Sequence, residues 1–127
     1  MTTHVSEVSA HASVRAAIVA EQRAIAARVQ GVVAEGRDTT TVVFPRATHK
    51  FYLDASPAER ARRRARQELA LERVAEIQAD IERRDAHDSA RAHSPLRAAD
   101  DAVRIDTDGL DLASVVARIL AHVRARA

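Results

Sequence analysis

The chain has no cysteine among its 127 residues. That excludes a disulfide framework and any thiolate metal site, and it fits a reducing cytoplasm. Aromatic residues make up 2%, so an apolar core has to be built from Ala, Val, Leu and Ile. No apolar run approaches the ~18 residues of a membrane span. The opening residues Met1-Thr2-Thr3-His4-Val5-Ser6-Glu7 have neither the basic nor the apolar region of a signal peptide. The expected location is cytoplasmic, with no membrane partner. There are three glycines, Gly31, Gly36 and Gly109, and the single lysine, Lys50, follows His49. A glycine-rich phosphate loop ending in Gly-Lys-Ser/Thr cannot be written from these residues.

An excess of charge is also missing. The formal net charge is +2, and the high pI reflects the use of arginine for nearly every basic residue. Acidic residues are mixed through the basic segments, without the one-sided basic face and interleaved aromatics of a nucleic-acid binder. No nucleic-acid partner is expected. Six histidines are present. His87 and His93 lie six apart, and His4 and His11 seven apart, which is not the spacing that puts two imidazoles on one metal. No metal site is expected. The chain also lacks the Gly-x-Ser-x-Gly elbow of a serine hydrolase.

What is present alternates between helical and strand patterns. Residues 13–29 carry Val14, Ala17, Ile18, Ala24, Ile25 and Val29 at helical spacing, with Ser13 as the cap and Gly31 as the stop. Val32-Val33-Ala34 reads as a buried parallel strand that opens into the polar loop Glu35-Gly36-Arg37-Asp38. A β-branched run at 39–43 ends at Phe44-Pro45. Phe51-Tyr52-Leu53 is a second strand. Ser56-Pro57-Ala58-Glu59 is a capping box with proline at the first helical position. Its helix runs into Leu69, and a continuation from Leu71 to Arg91, separate or joined by a bend, stops before Pro95. Residues 102–106 form a third strand, Thr107-Asp108-Gly109 turns the chain, and Asp111 caps a last helix. That helix carries Leu112, Val115, Val116, Ile119, Leu120 and Val123 on its apolar side. The order predicts an α/β fold, a parallel sheet with flanking helices.

Two polar constellations carry chemistry. Arg84, Asp88 and Arg91 fall at i, i+4 and i+7, one face of a helix. Two guanidiniums beside a carboxylate suit phosphate oxygens and a sugar hydroxyl. Arg37 and Asp38 leave the first strand at its carboxyl end, where ligands of open α/β sheets bind. The same residues also fit ordinary surface ion pairs. Arg60, Arg62, Arg63, Arg64 and Arg66 suit either a triphosphate or a solvated helix face.

Several segments then agree with one family. Val5 to Ala10, Val14-Arg15 and Gln22-Arg23 resemble the segment before the third strand of bacterial cytidylate (CMP/dCMP) kinases. Gly31 to Asp38 with Thr41-Val42-Val43-Phe44-Pro45 is similar to their strand and following loop. Lys50 to Ser56 with Glu59-Arg60-Ala61-Arg62-Arg63-Arg64 resembles the next strand and the lid. Arg84-Asp85, Asp88, Arg91, Pro95-Leu96 and Asp101-Ala102 resemble the lid-return helix and loop. Ile105-Asp106-Thr107 to Val115-Val116 resembles the last strand and helix.

The resemblance implies phosphoryl transfer from ATP to CMP or dCMP, with Mg²⁺. It implies that Ser6, Arg15 and Asp38 contact the base. Arg37, Arg84 and Arg91 hold the phosphate and the migrating phosphoryl group, Asp88 binds the sugar hydroxyls, and Arg63 and Arg64 face ATP when the lid closes. Such chemistry rests on positioning and charge neutralisation. The chain matches only the C-terminal part of a P-loop nucleoside monophosphate kinase. It has no counterpart of the first strand, the phosphate loop or the Mg²⁺ ligands. Thr39-Thr40 stands where the family usually has a glycine after an apolar residue, and residues 67–73 make a short lid. The implied layout is one partial domain, 1–127. It comprises a helical segment (1–30), strands and loop (31–56), lid-type helices (57–96) and a last strand and helix (97–127). In the family's sheet order, 2-3-1-4-5, the chain supplies strands 3, 4 and 5, so apolar edges or an altered pairing are expected, with marginal stability. The isolated chain is expected to be inactive. The alternatives are a non-catalytic CMP-binding module, or a subunit that complements an N-terminal half in trans.

Overall fold

The computed structural model describes residues 11–89 and 97–126. Along the chain come α1 (Ala12–Ala26), a π-helical turn (Thr39–Val43), β1 (Phe51–Asp54), α2 (Pro57–Gln67), a 3₁₀ turn (Leu71–Arg73), α3 (Val74–Ser89), β2 (Val103–Asp106) and α4 (Leu112–Arg124). The fold is α/β. β1 and β2 pair in parallel, with Phe51 opposite Val103 and Asp54 opposite Asp106. The ladder continues at both ends, where Val103 N–H donates to Lys50 O at 2.9 Å and Thr107 N–H to Asp54 O at 2.8 Å. Parallel neighbours need a long crossover, and α2 and α3 provide it.

The crossover is a helical hairpin, and it holds the core. Ala61 and Ala65 of α2 are fully buried against Ile77 of α3, with Val74 and Ile81 packed beside them. Small residues on α2 let the helices approach closely, and burying a side chain such as Ile77 contributes about 1.5–3 kcal/mol. Leu69, in the left-handed region with φ 53°, and Ala70, whose N–H donates to Ala65 O at 2.9 Å, end α2 and separate it from α3. The start of α2 is half a capping box. Ser56 Oγ accepts from Glu59 N–H at 3.2 Å, but Ser56 N–H donates to Asp108 Oδ1 at 2.8 Å instead of to Glu59. The Glu59 carboxylate is turned to Arg62 and Arg63.

Four expectations need correction. Residues 32–34 form no strand, and Val32 and Val33 are 53% and 102% exposed. A strand takes its hydrogen bonds from neighbours, and the described sheet is β1 and β2 alone. In the order the family resemblance implies, neither neighbour of this segment is among the described residues. α1 starts at Ala12 with His11, not Ser13, at its cap, and ends before Gly31, because Arg28 and Val29 N–H donate back to Ile25 and Ala26 O and tighten the last turn. The buried residue of α1 is Val19, whereas Ile18, Ile25 and Val29 are exposed. On α4 the Asp111 cap is present, Oδ1 accepting from Ser114 N–H at 2.8 Å. Its apolar side is mostly open to water, with Leu112 at 81%, Val116 at 44% and Leu120 at 43%. The described contact that ties α4 to β1 is an edge-on packing of the His122 and Phe51 rings, 5.6 Å between centroids.

Candidate functional site

Arg15, Val19 and Arg23 recur every four residues, so they share one face of α1. That face packs on the π-helical turn. Asp38 heads the turn, and its backbone carbonyl gathers three N–H donors, from Thr41 (3.3 Å), Val42 (2.8 Å) and Val43 (3.2 Å). Phe44 N–H closes the far end on Thr39 O at 2.7 Å. With its backbone fixed this way, Asp38 is 7% exposed. Both of its carboxylate oxygens accept from the Arg15 guanidinium. A carboxylate so buried requires such a partner. Arg15 Nε is itself buried with no acceptor among the described residues. Arg23 grips the other end of the turn, Nε donating to Val43 O at 2.8 Å and a terminal nitrogen to Val42 O at 2.7 Å.

Of the expected site residues, Arg15, Arg37 and Asp38 therefore stand together at the head of the turn. Arg37 is half-buried. Arg63, Arg64 and Arg84 stand on the α2–α3 hairpin. Arg84 is exposed. Ser6 and Arg91 lie outside the described residues, as does the side chain of Asp88. Arg64 pairs with Glu68 at 2.8 Å on the surface, and Arg62 with Glu59 at 3.0 Å, as the solvated reading of the arginine cluster expects. Arg63 is more deeply engaged. It donates to Glu59 Oε1 at 2.9 Å, to Thr107 Oγ1 at 3.1 Å and to the Thr107 and Leu110 carbonyls. It thereby ties α2 to the turn after β2. Hydrogen bonds from Arg62 and then Arg63 hold the Glu59 carboxyl below the usual carboxylate range. Arg60 joins the hairpin's two helices through Asp85, at 2.6 Å.

A second polar centre escaped the sequence reading. Lys50 is 8% exposed. Its ammonium donates to Asp101 Oδ1 and Oδ2 at 2.9 and 2.7 Å and to Pro45 O. Hydrogen bonding to Lys50 holds the Asp101 carboxyl below its usual range. The pair borders a cavity of about 350 Å³ that Thr40, Thr41 and Arg97 also line. Lys50 and Asp101 both fall within family-like segments, and lysine is used at this one position of an otherwise arginine-rich chain, but nothing in the sequence pairs them.

The family model for cytidylate kinase matches residues 1–125. The chain belongs to the cytidylate kinase family. It is 48% identical to a cytidylate kinase of Rhodococcus jostii over 129 residues, which is 99% of this chain and 56% of that relative. It is also 48% identical to a cytidylate kinase of Xanthobacter autotrophicus, covering 95% of this chain and 60% of the relative. A bifunctional pantoate ligase/cytidylate kinase of Prochlorococcus marinus is 44% identical over 94% of this chain and 25% of its own length. The chain thus spans little more than half the length of the cytidylate kinases it matches. Cytidylate kinases as a family use ATP and Mg²⁺. Among the described residues no group of three carboxylates or imidazoles gathers where an ion would sit. No described helix is long and apolar enough to cross a membrane.

Proposed function

We propose that this chain supplies the base-recognition and lid portions of a (d)CMP kinase, a cytoplasmic enzyme that transfers a phosphoryl group from ATP to CMP or dCMP. The observation that carries this reading is the Arg15–Asp38 pair at the head of the π-helical turn. Cytosine offers an amino donor at N4 beside ring and carbonyl acceptors. A carboxylate has about four acceptor positions, and Arg15 takes up one on each oxygen. The remaining positions accept from N4, while the guanidinium edge donates to the base's acceptors. Uracil has an oxygen in place of the amino group, and that oxygen would face the carboxylate. The pair therefore favours cytosine by both attraction and repulsion.

In this reading Ser6 completes the base contacts, Arg37, Arg84 and Arg91 hold the phosphate and the migrating phosphoryl group, and Asp88 binds the sugar hydroxyls. Arg63 and Arg64 approach ATP from the lid, once Arg63 leaves its carbonyl partners. Mg²⁺ arrives with ATP. The chain acts as one partial domain, 1–127, and the phosphate loop that phosphoryl transfer needs has to come from outside these residues.

The test is a titration of the 127-residue chain with CMP and with UMP, followed by amide NMR, for wild type and Asp38→Asn. The expected result is that CMP shifts amides of α1 and residues 38–43, UMP binds at least about tenfold more weakly, and Asp38→Asn removes the preference. Equal binding of the two nucleotides by wild type would overturn the assignment.

A further inference from the structure

Arg23 has no assigned part in binding, yet its contacts mirror those of Arg15. The two arginines are eight residues apart on α1, about 12 Å along the helix. Arg15 holds the carboxylate at the head of the turn and Arg23 holds the carbonyls of Val42 and Val43 at its end. Those carbonyls close a five-residue π-helix, and the last carbonyls of any helix lack internal partners. The Arg23 fork supplies donors to both, a geometry that the single ammonium of lysine does not reproduce. Val43, between the two grips, is 1% exposed, so the turn cannot slide on α1 without exposing it.

We propose that Arg23 is a positioning residue for base recognition. It acts through the turn, fixing the backbone that presents Asp38, and thereby sets cytosine selectivity without touching the nucleotide. This rests on the base-recognition reading above. The consequence for Arg23→Gln is specific. With the far end released, the three N–H bonds onto Asp38 O loosen, and the carboxylate loses its fixed aim. Binding of CMP falls by about tenfold while UMP, which gains nothing from that aim, changes little. The CMP/UMP ratio therefore collapses. Arg23→Lys keeps one of the two bonds and recovers part of the ratio.

The experiment measures CMP and UMP dissociation constants by NMR titration for wild type, Arg23→Gln and Arg23→Lys, together with amide hydrogen exchange at Thr41, Val42 and Val43. The expected outcome has two parts. Exchange at these amides is faster in Arg23→Gln and intermediate in Arg23→Lys, and the CMP/UMP ratio falls in the same order. A purely structural arginine would weaken both nucleotides equally, and that result overturns the proposal. So does unchanged exchange in a wild-type-like Arg23→Gln. If wild type itself fails to prefer CMP, the base-recognition reading falls first and takes the selectivity role with it. The exchange rates then judge the clamp alone. If Arg23→Gln does not fold, Arg23→Lys decides: a ratio equal to that of wild type, with unchanged exchange, refutes the proposal.

Discussion

Replacing Arg15 by Met, which keeps the stem and removes the guanidinium, leaves the Asp38 carboxylate in a place where it is 7% exposed. Two unit charges ~4 Å apart attract by about 4 kcal/mol at an effective dielectric of about 20. Much of this offsets desolvation already incurred. Breaking a fully buried pair costs ~3–5 kcal/mol. Here the Arg15 side chain is 21% exposed, so water enters the vacated space and solvates part of the carboxylate. The expected loss is therefore about 2–3 kcal/mol, below that range. Asp38→Asn is milder, about 1 kcal/mol, because the amide oxygen still accepts from Arg15 and the guanidinium reaches solvent. The double variant is expected to fall short of the sum by ~1–2 kcal/mol, the signature of direct coupling. Urea unfolding followed by far-UV circular dichroism reads these values. With a slope of ~1–3 kcal/mol per molar, Arg15→Met lowers the midpoint by about 0.7–3 M. Additive single variants, or an Arg15→Met variant no less stable than Asp38→Asn, would refute the coupling.

Other consequences are as direct. Ile77→Ala in the hairpin core is expected to cost about 2–3 kcal/mol, the low end for such deletions because Val74 and Ile81 are only partly buried and settle into the gap. Leu71→Ala, at a 62% exposed position, should cost under ~0.5 kcal/mol. Equal urea midpoints for the two variants would disprove the placement of the core. Asp101, Asp108 and Asp111 all have lowered pKa values, caused by hydrogen bonds from Lys50, Ser56 and Ser114 respectively. A carboxyl depressed in the folded state adds stability that is complete above its unfolded value, about 3.9, and is lost as pH falls through the lowered value. Urea midpoints should thus be flat from pH 7 to about 5 and decline below about 4. Asp101→Asn should flatten the decline, and an unchanged slope in that variant would exclude the Lys50 pair as a contributor. Ser56→Ala should cost about 1 kcal/mol through the lost cap on Glu59 N–H, and no measurable change in thermal melting would contradict it.

The legibility of this chain followed the range of its interactions. Ser56-Pro57 and Asp111 announce helix starts because a cap is settled within four residues, and both are found. β1 and β2 carry strand patterns and have each other as partners. Residues 32–34 carry the pattern equally well and form no strand, since a strand depends on neighbours that its own sequence does not specify. The packed face of α1 was hidden for a different reason. Binary patterning expects apolar residues inward, but here arginines at 15 and 23 flank Val19 and bond to the turn, leaving Ile18 and Ile25 to solvent. Spacing also placed Arg84 on a helix and Asp38 at the end of a loop. Only the three-dimensional structure shows that Asp38 is enclosed and that Arg63 is held by the Thr107 and Leu110 carbonyls.

We propose that this chain reads cytosine through Arg15 and Asp38. This is tested most directly by amide-correlation NMR of the 127-residue chain with and without millimolar CMP. Dispersed resonances, with CMP-dependent shifts concentrated at Arg15, Asp38 and residues 41–43 and lost in Asp38→Asn, are the predicted result. A folded chain whose amides are indifferent to CMP, or shift identically with UMP, would contradict it.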